Sequence, residues 1–179
     1  MGIDKEVDLE HHSLVLPEDW SPHFEKIFDE PALPENPSYY ICNPSDTDDT
    51  VAPEGKSAIF ILVPLAAELD LSDKQRQEFR DLIIQDLEEE TGVEIEEDIE
   101  YEKIFAGQEF KEKYNSYNGT ALGIAHTLRQ TSVFRPKQRS KEMEGLYYVG
   151  QYTNPGIGMP MCLISGEHAA EKVTEDLKG

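Results

Sequence analysis

Gly145-Leu146-Tyr147-Tyr148-Val149-Gly150-Gln151-Tyr152-Thr153-Asn154-Pro155-Gly156-Ile157-Gly158-Met159-Pro160 is the stretch on which the fold turns. Leu146 to Gly150 reads as a strand, Gln151 to Pro160 as a loop, and Met161 onward as a helix. A strand that runs into a glycine-containing loop and then a helix presents unpaired backbone N–H groups, with the positive end of the helix dipole, at the helix start. Such a site suits an anion. Gly156 and Gly158 let the backbone approach a ligand closely, Pro155 and Pro160 stiffen the loop, and Pro160 sits where a helix start tolerates proline. The spacing is not the dinucleotide fingerprint, and on spacing alone an ordinary strand-to-helix connection is the plainer reading.

Upstream, the pattern mixes short strands with helices. Ser13 to Leu16 is extended, and Ser21 to Asp29 is a short amphipathic piece opened by Ser21-Pro22, with Phe24, Ile27 and Phe28 on one side. Pro31, Pro34 and Pro37 hold an extended linker. Tyr39 to Cys42 and Ser57 to Val63 read as strands that pair in hairpin fashion across a polar loop ending in Ala52-Pro53-Glu54-Gly55. Ser72 and Gln75 have capping-box spacing. Phe79, Leu82, Ile83 and Leu87 then give one apolar stripe, and Gly92 supplies a left-handed stop, so a helix is predicted over Asp73 to Thr91. A third strand is predicted over Ile99 to Phe105, followed by a loop carrying Gly107 and a polar stretch to Asn118-Gly119.

The 179 residues carry 37 acidic and 16 basic side chains, a formal net charge of −21. Phosphate backbones and anionic headgroups would repel such a surface, which excludes a nucleic-acid binder or a polybasic membrane protein. The acid is spread along the chain, with clusters at Asp46 to Asp49, Glu88 to Glu90 and Glu94 to Glu100. That dispersion fits a surface adapted to high salt, where screening shortens the Debye length to about 3 Å at 1 M; an acidic protein of ordinary salinity is the alternative. Ala58 to Ala67, the longest apolar stretch, is interrupted by Pro64 and falls short of the about 20 residues a spanning helix needs. The N-terminus has no secretion signal, and Glu6 disfavours a myristoylation motif at Gly2, so a cytoplasmic location is expected.

The 145–160 stretch, with Ser165-Gly166 and Ala169-Ala170 after it, resembles the C-terminal signature of bacterial-type and haloarchaeal phytoene desaturases, flavin-dependent carotenoid desaturases. Similar motifs run through His11-His12, the Trp20 to Phe28 segment, Pro37-Ser38-Tyr39-Tyr40, Asp48-Asp49, Ala52-Pro53-Glu54-Gly55 and Arg135-Pro136. The resemblance covers nearly the whole chain and about the last third of that family's sequence. It implies an α/β flavoprotein fold, present here in incomplete form: residues 1–144 belong to an α+β substrate-binding domain, and residues 145–179 are the strand-loop-helix segment that returns to a Rossmann-like FAD-binding domain.

The resemblance also implies FAD as cofactor, with Gly150, Thr153, Pro155, Gly156, Gly158, Met159 and Pro160 as the candidate contacts. The N–H groups near Met159 to Met161 would stabilise negative charge on reduced flavin. No Gly-x-Gly-x-x-Gly follows a strand near the N-terminus, so the pyrophosphate cradle lies outside this chain. The expectation is a truncated or split desaturase that holds FAD together with an N-terminal FAD-binding polypeptide. Its substrate would be a long polyene, phytoene, lying along the strands around Tyr39 to Cys42 and Ala58 to Leu65, with peripheral membrane contact through apolar surface. A carotenoid isomerase, a later-step desaturase and a non-catalytic polyene-binding module are the alternatives.

No catalytic acid or base is assigned. Cys42 and Cys162 are too few and too far apart in sequence for a disulfide framework or a zinc site. His11 and His12 on a strand would point to opposite faces, and His23, His126 and His168 are scattered, so no metal site is expected. Asp48 and Asp49 read as a solvated loop, and Arg129 and Arg135 as partners of carboxylates.

Overall fold

The computed structural model describes residues 1–178, with Ser132 described by its backbone alone. The chain divides into two units, Met1–Gly119 and Thr120–Gly179. The first holds six short strands: β1 (Gly2–Ile3), β2 (His12–Val15), β3 (Tyr39–Cys42), β4 (Ser57–Ala58), β5 (Phe60–Leu62) and β6 (Ile99–Tyr101). Its helices are α1 (Ser21–Phe28), α2 (Asp73–Thr91) and α3 (Gly107–Tyr114); the second unit contributes α4 (Met159–Lys178). The fold is thus mixed α/β.

Two antiparallel sheets form, in the orders β4-β1-β6 and β2-β3-β5. The expected pairing of Tyr39–Cys42 with the run after Ser57 is present, with Tyr40 opposite Leu62 and Cys42 opposite Phe60. That run is not one strand, however. It breaks at the buried Ile59, whose N–H donates to the Met1 carbonyl at 2.9 Å, so β4 pairs in one sheet and β5 in the other.

The period-2 pattern of β2, β3 and β5 sorts their side chains onto two faces. Ile41 and Tyr39 point into a core with Ile3, Ile59, Ile83, Ile84 and Leu87. The other face carries His12, Leu14, Tyr40, Cys42, Phe60 and Leu62, and there Leu14, Phe60 and Leu62 are exposed.

α2 has the expected bounds. The Ser72 hydroxyl accepts from the Gln75 N–H at 3.3 Å, while Gln75 Oε1 accepts from the Ser72 N–H at 3.1 Å. Gly92 closes the helix at φ 71° with its N–H on the Glu88 carbonyl. Ile83, Ile84 and Leu87 are its buried residues, each contributing about 1.5–3 kcal/mol by burial.

α3 replaces the expected loop and polar stretch. Glu109 Oε2 accepts from the Ala106 N–H at 2.8 Å and Oε1 pairs with Arg76 of α2 at 2.7 Å, while Phe110 and Phe105 meet edge to face at 4.7 Å. Gly107 is a close-approach position rather than a loop marker: at Gly119 (φ +72°) a Cβ would lie 2.5 Å from the Gly107 carbonyl oxygen. The third strand stops at Tyr101, four residues short of the sequence expectation.

In the second unit the expected strand over Leu146 to Gly150 shrinks to one antiparallel bridge between Tyr147 and Arg139, flanked by Ser140 N–H to Leu146 O at 2.9 Å and Tyr148 N–H to Gln138 O at 2.7 Å. Gly145 (φ 76°) and Gly150 (φ 101°) turn the chain at both ends, and only residues 138–140 lie alongside. α4 begins at Met159, two residues ahead of expectation. Near its C-terminus Asp176 receives the Arg139 guanidinium at 2.9 and 2.5 Å and the Tyr147 hydroxyl. These donors hold the Asp176 carboxyl below its usual range, the Tyr147 hydroxyl foremost. No described helix is long and apolar enough to cross a membrane.

Candidate functional site

The loop between Gly150 and α4 is held from inside by Arg135. Arg135 is 2% exposed, and its guanidinium donates to four carbonyls: Nε to Thr153 at 3.0 Å, Nη1 to Gln130 at 3.2 Å, and Nη2 to Ile124 at 3.3 Å and Gln151 at 2.6 Å. The sequence expectation of a carboxylate partner is overturned. Five donors in a rigid fork suit several carbonyls of a tight loop, which one carboxylate could not bridge. The result is a buried positive charge beneath the loop, with the usual desolvation cost offset by charge-assisted bonds.

Around this anchor the seven candidate contacts fall into two groups. Gly150 and Thr153 are spent internally. The Gly150 N–H donates to Ser165 Oγ at 3.0 Å; the buried Thr153 hydroxyl donates to the Gly150 carbonyl at 2.9 Å and lies 2.6 Å from Ser165 Oγ. The Gly150 backbone and the Thr153 hydroxyl lock the loop onto α4 through Ser165 instead of facing outward. Pro155 and Gly156 form the turn itself. Gly156 is buried at φ +143°, and a Cβ there would sit 2.7 Å from His126 Cε1 and 3.7 Å from Arg135 Cζ, so no other residue fits without displacing His126.

Gly158, Met159 and Pro160 form the second group, all exposed. The first α4 bond runs from the Cys162 N–H to the Gly158 carbonyl at 2.9 Å, so the N–H groups of Met159 and Met161 have no intrahelical acceptor, and Pro160 has none to place. The first turn of α4 carries no acidic residue, in a chain with 37 of them. An uncompensated helix start, approached by a glycine turn and backed by a buried guanidinium, has the polarity that suits an anion or an electron-rich ring. Residues 156–161 therefore fit the ring end of a flavin.

Sequence reasoning missed Ser165, His126 and the role of Arg135. Ser165 lay in a recognised motif, but no sequence signal marks an arginine whose acceptors are all backbone carbonyls.

In the first unit, His23 is structural. Its Nδ1 accepts from the Ser38 N–H at 2.8 Å, so Nε2 carries the proton and donates to the Pro64 carbonyl at 2.7 Å. Asp48 caps Thr50 through its carboxylate in an exposed loop, as expected. His11 and His12, however, do not point apart. His11 precedes β2, outside strand alternation, and the two ring centroids lie 4.2 Å apart.

Residues 15–174 match the family of flavin containing amine oxidoreductases. The chain belongs to that family. It is 56% identical over 178 residues, 99% of this chain, to the carotenoid 3,4-desaturase of Haloarcula japonica, covering 36% of that protein. Over 98% of the chain it is 33% identical to a 4,4'-diapophytoene desaturase (4,4'-diapolycopene-forming) of Methylomonas sp, covering 35% of it. Over 94% of the chain it is 30% identical to the phytoene desaturase of Fusarium fujikuroi, covering 34%. The chain thus spans about a third of the length of these curated relatives.

Proposed function

We propose that this chain is the substrate-binding and flavin-completing part of an FAD-dependent carotenoid desaturase. The observation that carries the reading is the open start of α4, where an acid-free first turn meets a glycine turn seated on Arg135. Gly156, Gly158, Met159 and Pro160 would hold the flavin ring, while Gly150, Thr153 and Pro155 shape the loop behind it. FAD, when bound, supplies the hydride-accepting chemistry. Met159 and Met161 would place N–H donors against an electron-rich ring, and the Arg135 charge beneath the loop favours the same polarity.

Residues 1–144 serve mainly the substrate domain and residues 145–179 the flavin domain. Tyr148 and Val149, exposed beside a single bridge, present the edge that a returning strand offers to a sheet completed elsewhere. An N-terminal FAD-binding polypeptide would provide the pyrophosphate cradle. The polyene would lie on the outer face of β2-β3-β5, where Leu14, Tyr40, Phe60 and Leu62 exclude water and orient it. The exposed Leu128, Val133 and Phe134 fit peripheral contact with a bilayer through apolar surface. The dispersed acid fits a cytoplasm at high salt.

Phytoene is the substrate expected from sequence. A later-step reading is favoured by the 56% identity to a protein named carotenoid 3,4-desaturase against 30% to a phytoene desaturase. Expressing the chain with the N-terminal part of the Haloarcula japonica relative, and supplying phytoene or an already conjugated carotenoid, separates the two. Desaturated product from either substrate supports the desaturase reading and assigns the substrate. No product from both, with flavin bound, would refute it.

A further inference from the structure

Antiparallel pairing of β2 with β3 sets His12 directly opposite Cys42, though 30 positions separate them in the chain. His11 lies just ahead of the strand. A ring nitrogen of His11, a ring nitrogen of His12 and Cys42 Sγ all fall within 4.8 Å of one another. We propose that His11, His12 and Cys42 form a metal site selective for a thiolate-accepting divalent cation, Zn2+ foremost, with its fourth position open to solvent.

Three features of the cluster support this. The donor set is two imidazoles and one thiol, which suits Zn2+ and its spectroscopic substitute Co2+ rather than Mg2+ or Ca2+. Tetrahedral bonds of about 2.0–2.1 Å to nitrogen and 2.3 Å to sulfur set the ligand atoms ~3.5 Å apart, so side-chain rotations of about an ångström close the site. Both rings are also held by outer partners. His11 Nδ1 lies 2.6 Å from Thr47 Oγ1, and His12 Nδ1 lies 2.6 Å from the Tyr40 hydroxyl. With Nδ1 protonated and donating to these oxygens, the Nε2 lone pair of each ring is left for a metal, the arrangement that orients metal-ligating histidines.

The backbone around His11 is fixed as well. Its N–H donates to Asp46 Oδ2 at 3.1 Å, and its carbonyl accepts from the Asn43 N–H at 2.9 Å. The Asn43 side chain donates to the Val7 and Leu9 carbonyls at 3.1 and 2.8 Å, tying the approach to β2 onto the end of β3. His12 is exposed and the other two residues are half-buried, so a cation can enter and a water can complete the coordination. Binding displaces the Cys42 thiol proton to solvent as the S–metal bond forms. A surface of net charge −21 raises the local cation concentration.

The test is a titration of the full 179-residue chain with Co2+ under a non-thiol reductant, followed by back-titration with Zn2+. Expected are one equivalent of Co2+, intense tetrahedral d–d bands, a near-ultraviolet sulfur-to-cobalt charge-transfer band, and loss of all of them when Zn2+ is added. Cys42→Ser removes the charge-transfer band; His11→Asn and His12→Asn weaken the d–d bands; Cys162→Ser changes nothing. Tyr40→Phe and Thr47→Ala, which remove an outer hydroxyl and keep all three ligands, weaken affinity roughly 10-fold. Unfolding followed by far-UV circular dichroism supplies a second readout: Zn2+ raises the midpoint of the unsubstituted chain and leaves Cys42→Ser unmoved. Pale octahedral Co2+ spectra, a charge-transfer band that survives in Cys42→Ser, or equal Zn2+ stabilisation of both proteins would overturn the proposal.

Discussion

Replacing Arg135 with methionine keeps most of the side-chain volume and removes all four hydrogen bonds that its guanidinium donates beneath the 150–159 loop. Four carbonyls, those of Thr153, Gln130, Ile124 and Gln151, lose their partner. A buried acceptor left unpaired costs about 1–3 kcal/mol, which gives about 4–12 kcal/mol for four before any relief. Burying a cation with no carboxylate beside it is itself unfavourable by several kcal/mol, and the substitution recovers that cost. The expected net loss is about 3 kcal/mol, confined to the loop and its packing on α4. Native-state hydrogen exchange reads it directly. The amides of Tyr148, Thr153 and Asn154, bonded to the Gln138, Gly150 and Pro136 carbonyls, should exchange about 150-fold faster at 25 °C. The amide of Gly92, bonded to Glu88 in the first unit, serves as the internal control and should not change. Arg135→Lys retains the charge but not the fork, and should fall between the two. Exchange within threefold of the unsubstituted chain at all three loop amides would refute the view that Arg135 organises this loop.

Gly156→Ala forces a Cβ to within 2.7 Å of His126 at φ +143°, so flavin retention by the reconstituted enzyme should fall at least 10-fold, measured by flavin fluorescence after gel filtration; retention equal to the unsubstituted protein would show that the turn is tolerant. Leu87→Ala empties a position with no exposure in the core and should cost about 2–5 kcal/mol in urea unfolding, a loss below 1 kcal/mol arguing against the packing described. Burial pushes the Glu109 carboxyl up, but the Ala106 N–H and the Arg76 guanidinium outweigh it and leave the group below its usual range. The stability it contributes is therefore present above the ordinary carboxylate range and is lost as pH falls through the lowered value. Glu109→Gln should weaken α3 at pH 7 and match the unsubstituted chain in acid, as read by hydrogen exchange across residues 107–114; a deficit equal at both pH values would contradict the assignment. Dialysis from molar to millimolar salt should lower the unfolding midpoint of a chain of net charge −21, and an unchanged midpoint would remove the case for a high-salt adaptation.

What could be read from sequence was what local chemistry encodes. Ser72 with Gln75, the stripe through Ile83 and Leu87, and Gly92 each act within a few residues, and α2 has the predicted bounds. The break at Ile59 was invisible because it depends on which strand each half meets, not on its own residues. α3 was hidden by Gly107, read as a loop signal, although Glu109 at its third position and the Phe110–Tyr114 spacing are helix signals. Leu146 to Gly150 has strand composition, but composition cannot supply a partner, and only three residues lie beside it.

The site divides the same way. Gly156, Gly158 and Pro160 announce a turn and a helix start by residue type alone. Arg135 under that turn, and His11 and His12 against Cys42, are products of tertiary pairing. Their partners are backbone carbonyls in one case and a strand across the sheet in the other, neither of which leaves a local mark.

In the function proposed above, α4 and its loop complete a flavin site whose other half lies in an N-terminal FAD-binding segment. Its most direct test is visible absorbance of the chain purified in high salt, alone and co-expressed with that segment of the Haloarcula japonica relative. Expected is a bound-flavin spectrum with near-stoichiometric FAD in the co-expressed pair, and little or none in either part alone. Flavin held equally by the N-terminal segment without this chain, or by neither part when combined, would contradict it.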